Sequence, residues 1–373
     1  MKVRAAVVWT PKQGFDVTEV ELDPPKDHEV LVRWVAAGLC HSDYHVVEGD
    51  LDVGLPMVSG HEGAGIVEAV GPGVARVKPG DHILATAWPS CGHCRWCSTG
   101  HQNLCELEQR GYLSRLLDGT CRFHARGKDI GNSALLGTFS EYSVIPEYSL
   151  VKIDPKLPLE SACLLSCGVL TGWGAAVKGA EVEPGDTVVI YGAGGVGLAA
   201  VQGARVCGAR YIVAVDPVAL KREKALELGA THAVAGAQEA GELVRELTGG
   251  IGADKAIVAV GIINEEVVEE AVNIIRRAGT VAVASAGERP GTKAIRVSAH
   301  AICGGQKRIQ GVMGGNLNIQ SDTQRLLGLY QAGLLKLDEM LSRKYRLEEI
   351  NQGYEDLLGG RIIRGIIALG GGA

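Results

Sequence analysis

The hydrophobic positions in the first part of the chain form short runs that are separated by turn residues. VRAAVVW and EVLVRWVAAG, at residues 3–9 and 29–38, are typical of strands, and DPPKDH lies between them. GHEGAGIVEAVG and VKPGDHILATA continue this pattern after residue 60. Short strands with short connections predict a mostly β region that forms a partly closed barrel.

The pattern changes at about residue 161. SACLLSCGVLTGWGAAV has helical spacing, and TVVIY then begins a series of strand, glycine turn, helix and strand. KAIVAVG, EEVVEEAVNIIRRAG and TVAVASAG continue it as strand, helix and strand, and RIQGVMGG suggests a last strand. Alternation of this kind predicts an α/β domain built on a parallel sheet. A later helix around DTQRLLGLYQAGLL and a final strand, RGIIALG, are expected to return to the first domain.

A glycine pattern follows directly after the strand TVVIY. Gly192, Gly194 and Gly197 match G-x-G-x-x-G at the start of a helix, and Asp216 ends the next strand, IVAVD. This is the context of a dinucleotide site, in which the helix N-terminus receives a pyrophosphate. The Asp216 carboxylate would accept hydrogen bonds from both ribose hydroxyls and repel a 2′-phosphate, which favours NAD over NADP. A flexible glycine turn in an unrelated α/β fold is the alternative.

Composition and charge narrow the class of protein. The 373 residues allow two domains, and 46% hydrophobic with 21% charged residues indicates a soluble globular chain. The net charge of -6 comes without a basic stripe, so nucleic acid is not an expected partner. No apolar run reaches transmembrane length, and MKVRAAVVWTPKQG lacks the apolar segment of a signal peptide. We therefore expect a cytoplasmic protein whose cysteines are reduced ligands or core thiols.

Potential metal ligands lie between Gly38 and Gly65, in GLCHSDYH and GHEGAG. Cys40 and His61 supply a thiol and an imidazole, the donor types that zinc prefers. A catalytic zinc site uses three protein ligands and leaves one position open, and Cys167 is the best candidate for the third. A small buried cysteine and a core histidine near turns are the alternative interpretation.

Four more cysteines lie close together in CGHCRWCSTGHQNLC with the spacing C-x2-C-x2-C-x7-C: Cys91, Cys94, Cys97 and Cys105. Four thiolates within so short a segment can close a tetrahedron around one zinc ion. A CxxC redox pair would leave two cysteines unexplained, and an iron–sulfur cluster is a further alternative. A closed four-sulfur zinc site is favoured, and it would stabilise the segment rather than react.

The order of these motifs resembles the zinc-dependent medium-chain alcohol dehydrogenases along essentially the whole chain. GHEGAGIVEAVGPGV is similar to the zinc signature of that family, and residues 106–139 are similar to its class I and class III members. SCGHCRWCSTGHQNLC, CRFHARGKDIG and AVDPVALKREKALELGATHA resemble the actinobacterial enzymes that use N,N-dimethyl-4-nitrosoaniline (NDMA) as artificial acceptor. Those enzymes are nicotinoproteins, in which NAD stays bound between turnovers.

The resemblance implies a domain plan and a set of cofactors. Residues 1–168 and 311–373 would form a GroES-like, partly closed β-barrel domain with the catalytic zinc, and residues 169–310 a Rossmann domain with NAD. Each chain would hold two zinc ions, one catalytic and one structural. A homo-oligomer, a dimer or higher, is expected.

The resemblance also implies roles for single residues. Ser42 would hold the substrate hydroxyl and pass its proton through the nicotinamide ribose towards His45. Glu62 would lie behind the metal, and Asp43 would orient His61. The residues implied to contact NAD, besides Asp216 and the turn glycines including Gly195, are Lys221 at the adenosine ribose, Thr171 and Val196 at the nicotinamide, and His41 and Arg364 at the pyrophosphate.

The implied activity is hydride transfer between a primary alcohol or its aldehyde and NAD, with an external electron acceptor recycling a tightly bound cofactor. A thiol-dependent formaldehyde dehydrogenase, acting on a glutathione or mycothiol adduct, shares the metal sites and is the nearest alternative. A non-catalytic binding or scaffold protein on the same fold is an alternative of another class. Such a protein could lose a catalytic ligand, whereas this sequence keeps Cys40, His61, Cys167, Ser42 and His45.

Overall fold

The structure is a computed structural model, and it describes residues 1–51, 53–284, 287–288, 295 and 297–370. The chain forms two compact units. The first contains Met1–Cys167, Asn318–Gln331 and Leu337–Ala373, and the second contains Gly168–Leu317 and Ala332–Lys336. The sequence predicted that this domain ends at residue 310, whereas the second unit continues to Leu317. The chain stays hydrogen-bonded to the sheet there, since the Val312 N–H donates to the Val283 carbonyl over 2.9 Å.

The described chain contains short strands throughout: β1 Lys2–Val8, β2 Asp16–Leu22, β3 Glu29–Gly38, β4 Met57–Val58, β5 Gly63–Val70, β6 His82–Ala85, β7 Phe123–Ala125, β8 Lys128–Asn132, β9 Tyr142–Pro146, β10 Leu150–Lys152, β11 Thr187–Tyr191, β12 Tyr211–Val215, β13 His232–Val234, β14 Ala253–Val258, β15 Ile262–Ile263, β16 Ile275–Val283, β17 Gly287–Glu288, β18 Arg308–Gly311, β19 Leu341–Tyr345 and β20 Arg364–Ala368.

The α-helices are concentrated in the second half: α1 His41–Glu48, α2 Arg95–Ser98, α3 Leu159–Ala162, α4 Gly168–Gly174, α5 Gly195–Val206, α6 Ala219–Leu228, α7 Ala237–Leu247, α8 Glu265–Ile274, α9 Ala299–Cys303, α10 Ile319–Gln331 and α11 Ile350–Leu358. Among the described residues, no single helix is long and apolar enough to cross a membrane. One bent pair of helical segments, Leu159–Ser166 with Gly168–Gly179, meets the criteria of length and composition when the two are taken together.

The first unit confirms the predicted barrel. Strands β1, β2, β7, β8 and β4 close on themselves in that order, and a seven-stranded sheet runs β10, β6, β5, β3, β20, β19 with β9 paired to β3. Alternate residues of β3 point into an apolar core, since Val30, Val32 and Trp34 are fully buried. EVLVRWVAAG is therefore a strand, as the sequence predicted.

The second unit confirms the predicted parallel sheet. Its six strands run in the order β13, β12, β11, β14, β16, β18, and each neighbouring pair is parallel. All five residues of β11 are buried, as expected for a strand covered on both faces by helices. One boundary differs from the sequence pattern, because α8 ends at Ile274 and IRRAG belongs to β16. Arg276 there pairs with Asp254 of β14, which favours the extended backbone.

A buried ion pair fastens the barrel to the start of β3. The guanidinium of Arg122, just before β7, is fully buried and donates to both carboxylate oxygens of Glu29, over 2.9 and 2.5 Å. Asp118 accepts a further hydrogen bond from it over 2.7 Å. A buried charge of this kind is tolerated because its partners are fixed and complementary.

Replacing Arg122 by Met should lower the stability of the first unit by about 3–5 kcal/mol, because the Glu29 carboxylate would stay buried without a charge partner. Lys26→Met is the matched control, since Lys26 reaches Asp118 from a side chain that is 57% exposed. Urea unfolding midpoints at equal metal content give the measurement. Equal midpoints for the two variants would contradict this role of Arg122.

Candidate active site

Cys40 lies at the junction between β3 and α1. It is the N-cap residue of α1, with extended backbone angles, and is buried. Gly38, the last residue of β3, permits this junction, because a Cβ there would overlap the carboxylate of Glu62. The thiol of Cys40 lies 3.6 Å from the Ser42 hydroxyl. The strand end therefore brings a thiol and a hydroxyl to one point.

His61 and Glu62 reach the same point from the residues that precede β5. Both are buried, and the Nδ1 atom of His61 lies 2.9 Å from Oδ1 of Asp43 in α1. A carboxylate at Nδ1 fixes that nitrogen as a donor, so Nε2 is the nitrogen that can bind a metal. The placement of Asp43 behind His61 is the one that the resemblance implies.

Cys167 is presented by a break in the helical segment that the sequence predicted to be continuous. Helix α3 passes into a 3₁₀ turn, Cys163–Ser166, and Cys167 itself has φ -148° and ψ -76° before α4 begins at Gly168. The Ser166 hydroxyl donates to the Gly63 carbonyl over 3.1 Å, which ties this turn to the first residue of β5. The break directs the Cys167 thiol towards the other ligands.

The four side chains form one compact donor set. Ligand atoms of Cys40, His61, Glu62 and Cys167 all lie within 4.8 Å of one another, and all four residues are buried. A hydrogen bond from Cys167 holds the pKa of Cys40 well below its usual range, and this thiolate in turn raises the pKa of Cys167. Ionising both thiols is therefore costly in this buried site. A divalent cation would compensate their charge, so the donor set suits a zinc ion.

Glu62 has a cationic partner of its own. The Arg364 guanidinium, from the first residue of β20, donates to the Glu62 carboxylate, and both side chains are buried. Burial opposes the charge of Arg364, but the carboxylate of Glu62 and the neighbouring thiols raise its pKa. Within the described chain the Nε atom of Arg364 has no hydrogen-bond partner. The implied contact of Arg364 with a pyrophosphate stays a prediction.

A second histidine lies on α1 with an unsatisfied nitrogen. His45 is buried, and its Nδ1 atom lies 2.9 Å from Oδ2 of Asp50, whereas its Nε2 atom finds no partner among the described residues. Ser42 and His45 are three residues apart, so they share one face of α1. The ring of His41 lies 5.9 Å from the ring of His45. Asp50 had no signal in the sequence, because its contact arises from the turn that ends α1.

The four-cysteine segment also forms a closed donor set. The sulfurs of Cys91, Cys94, Cys97 and Cys105 lie within 4.8 Å of one another. Although burial opposes it, backbone N–H groups of Cys97 and Glu106 lower the pKa of Cys94 to about 6, whereas burial raises the pKa of Cys105. Four thiols so close cannot all ionise unless a cation compensates their charge. The set therefore fits a metal with four sulfur ligands.

The glycine turn of the second unit lies between β11 and α5, as the sequence predicted. Gly192 has φ +89°, Gly194 is the N-cap of α5, and α5 begins at Gly195. The Asp216 carboxylate accepts hydrogen bonds from the Ala193 and Val218 backbone N–H groups, each over 2.9 Å. Lys221 lies 3.9 Å from Asp216. This carboxylate therefore already shapes the turn before any ribose is present.

Thr171 and Val196 lie on α4 and α5 of the second unit. Gly172 packs so closely on Val196 that a Cβ there would overlap the Val196 carbonyl oxygen. The Thr171 hydroxyl is buried, and no partner for it occurs in the described parts of the chain. A buried hydroxyl without a partner is costly, so it marks a place where a polar ligand group fits.

A β-barrel that carries a thiolate and imidazole donor set, together with a parallel sheet and its glycine turn, defines a zinc-dependent medium-chain dehydrogenase. Residues 26–155 match the model of the alcohol dehydrogenase GroES-like domain, and residues 195–332 match that of the zinc-binding dehydrogenases. The chain belongs to the zinc-dependent medium-chain alcohol dehydrogenase family.

Relatives and solved structures match over nearly the whole chain. The NDMA-dependent alcohol dehydrogenase of Amycolatopsis methanolica is 49% identical over 98% of this chain and 99% of its own. The S-(hydroxymethyl)glutathione dehydrogenase of Saccharomyces cerevisiae is 38% identical over 98% and 96%. The crystal structure of benzyl alcohol dehydrogenase from Acinetobacter calcoaceticus superposes with a TM-score of 0.91 at 32% identity, covering 99% of both chains.

Substitutions at two glycines of the turn can distinguish a loss of packing within the protein from a loss of space for the cofactor. A Cβ at Gly197 would overlap the Gly192 carbonyl oxygen, so Gly197→Ala should lower the melting temperature. A Cβ at Gly194 meets nothing within 4 Å, so Gly194→Ala should melt like the wild type. If a pyrophosphate approaches Gly194 as the motif predicts, this variant should bind NAD about tenfold or more weakly, measured by fluorescence titration. Unchanged NAD affinity in Gly194→Ala would contradict the predicted approach.

Proposed function

We propose that the protein oxidises a primary alcohol to its aldehyde, or reduces the aldehyde, by hydride exchange with NAD. The convergence of Cys40, His61 and Cys167 in one buried donor set carries this proposal. These three residues would hold the catalytic zinc and leave one position for the substrate oxygen. A zinc ion bound there supplies Lewis acidity that lowers the pKa of the alcohol hydroxyl.

The surrounding carboxylates would have different tasks. Asp43 fixes the imidazole of His61 through Nδ1 and so keeps Nε2 available for the metal. Glu62 has its charge balanced by Arg364, which holds it beside the donor set. We infer that this pairing keeps Glu62 out of the open position during turnover. Cys40, His61 and Cys167 would then be the three metal ligands, and the fourth position would be left to the substrate, as a catalytic centre requires.

Proton removal would follow the face of α1 that carries Ser42 and His45. Ser42 lies next to Cys40 and would receive the proton of the substrate hydroxyl, and His45 would accept it further on. Asp50 accepts from Nδ1 of His45, which leaves the Nε2 lone pair as the proton acceptor. We propose the nicotinamide ribose as the link between the hydroxyl of Ser42 and His45.

The second unit would bind NAD. The glycine turn and the first N–H groups of α5 would receive the pyrophosphate, and Asp216 with Lys221 would hold the adenosine ribose. Thr171 and Val196 would support the nicotinamide, which accepts the hydride when NAD is bound. His41 and Arg364 would face the pyrophosphate. The negative charge of Asp216 supports NAD over NADP.

The subtype that we propose keeps its NAD bound and passes the electrons to an external acceptor. The support is the 49% identity with an enzyme named NDMA-dependent alcohol dehydrogenase. The second candidate, a thiol-dependent formaldehyde dehydrogenase, is favoured by the 38% identity with a protein named S-(hydroxymethyl)glutathione dehydrogenase. A requirement for glutathione or mycothiol in formaldehyde oxidation would decide for that candidate. We also propose a homo-oligomer that works in the cytoplasm.

Metal analysis tests the two proposed zinc centres. Active wild-type protein should contain two zinc ions per chain, and Cys167→Ser should retain about one and lose activity by roughly a thousandfold, since Lewis acidity is worth several kcal/mol. Cys94→Ser should instead reduce the folding yield, because the closed site contributes folding energy. Cys207→Ser is the control, since Cys207 lies in neither donor set. One zinc in fully active protein, or an iron–sulfur absorption spectrum, would refute the proposal.

Cofactor release tests the subtype. Denaturing the purified protein should release about one NAD per chain, and alcohol without acceptor should reduce no more than about that amount. Adding NDMA should then restore turnover without free NAD. Steady multiple-turnover reduction of added NAD by protein that releases none on denaturation would refute the NDMA-dependent subtype. The alcohol dehydrogenase proposal would survive that result.

A further inference from the structure

The hydroxyl of Tyr354 is buried inside an aromatic cluster. Tyr354 lies on α11, its ring stacks on Phe15 at 4.9 Å and on Tyr44 at 5.9 Å, and it meets Phe139 edge-on at 6.3 Å. Both the ring and the hydroxyl are withdrawn from water. Phenylalanine would fill this space equally well, and a buried hydroxyl costs free energy unless it is hydrogen-bonded. The hydroxyl therefore calls for a polar partner in this cluster.

That partner is the carboxylate of Asp43. The Tyr354 hydroxyl lies 3.3 Å from Oδ2 of Asp43, and the other oxygen, Oδ1, faces three donors. These donors are Nδ1 of His61 at 2.9 Å, the Gly60 N–H at 3.1 Å and the Ser59 hydroxyl at 3.4 Å. The two oxygens thus have separate tasks, since Oδ1 orients the imidazole and Oδ2 is held by the phenol.

We propose that Tyr354 is a positioning residue of the catalytic centre, which fixes the plane of the Asp43 carboxylate and through it the direction of the His61 imidazole. This inference rests on the proposed zinc site at Cys40, His61 and Cys167. Outer partners of a ligand histidine set the orientation and basicity of its ring and hence its affinity for the metal. Tyr354 would act on His61 through Asp43, one hydrogen bond further from the metal site.

The phenol is suited to this task because it is a fixed donor. Burial and the nearby Asp43 charge raise the pKa of Tyr354, so its hydroxyl keeps its proton. Helix α11 is itself anchored, since Asn351 exchanges two hydrogen bonds with the backbone of Phe15, over 3.0 and 2.9 Å. The stacked ring and this anchor leave the hydroxyl little freedom. Without it, Oδ2 of Asp43 would be buried without its donor, and the carboxylate could rotate away from His61.

The test uses the full-length, zinc-loaded protein and the variant Tyr354→Phe. Zinc release to a chromogenic chelator should show two phases, and the phase that Cys167→Ser lacks belongs to the catalytic ion. In Tyr354→Phe we expect that phase to be about 3–10-fold faster, which is smaller than the 10–100-fold effect of removing a direct partner of a ligand. The phase of the four-cysteine site should be unchanged. Protein with Co²⁺ in the catalytic site should show shifted absorption bands in this variant.

The matched control is Tyr44→Phe, which removes a hydroxyl from the neighbouring ring of the same stack, where it faces Glu48 rather than Asp43. It should leave both the release rates and the Co²⁺ spectrum unchanged. In an Asp43→Asn background, Tyr354→Phe should add less than in the wild type, because the two residues act in series. Additive effects would overturn the proposal.

Two further outcomes are decisive. If Tyr354→Phe releases the catalytic zinc at the wild-type rate, or if Tyr44→Phe accelerates it equally, the ring only packs and the proposal is wrong. If the wild-type protein itself shows only the four-cysteine phase and binds no Co²⁺ at the second site, the proposed catalytic centre fails first. The inference about Tyr354 then falls with it. The wild-type measurement separates these two failures.

Discussion

The structure of the first unit depends on one electrostatic constraint, which is that two thiols and an imidazole are buried within ligand distance of one another. In a low-dielectric interior, ionising both Cys40 and Cys167 is costly, since charge at Cys40 raises the pKa of Cys167. A divalent cation removes that conflict. Two features of the backbone bring these donors together: the tight packing at Gly38, between β3 and α1, and the break in the helix at Cys167.

The two buried carboxylates next to this donor set are stabilised in opposite ways. Asp43 receives hydrogen bonds from an imidazole, a backbone N–H, a serine hydroxyl and a phenol, so its charge is spread over several weak donors. Glu62 faces a full positive charge, Arg364. This difference affects metal binding. Asp43, whose charge is balanced by dipoles, still attracts the imidazole of His61, whereas Glu62, whose charge is neutralised by a guanidinium, competes less for the metal.

The sequence predicted the elements better than the contacts. Periodicity identified β3, β5 and β11, because alternate or continuous burial leaves a direct trace in the residue order. The glycine turn and the four-cysteine segment were predictable because their residues lie close together in the chain. The break at Cys167 was missed, since SACLLSCGVLTGWG keeps helical spacing on both sides of it. The contacts of Asp50 and Tyr354 depend on a turn and on packing between distant segments, which no local pattern records.

Helix α1 shows how a short element can separate metal binding from proton transfer. Successive residues of an α-helix are about 100° apart around its axis, so neighbours point in different directions. Cys40 begins the helix, and Asp43 points inward to His61 and Tyr354. Ser42 and His45 lie on another face of the helix, apart from Cys40 and Asp43.

The end of α1 sets the partner of His45. The αL residue Gly49 ends the helix, and the chain returns so that the Asp50 N–H donates to the His45 carbonyl over 2.9 Å. That return places the Asp50 carboxylate at Nδ1 of the same histidine, so the turn that terminates the helix also sets which nitrogen of His45 can accept a proton.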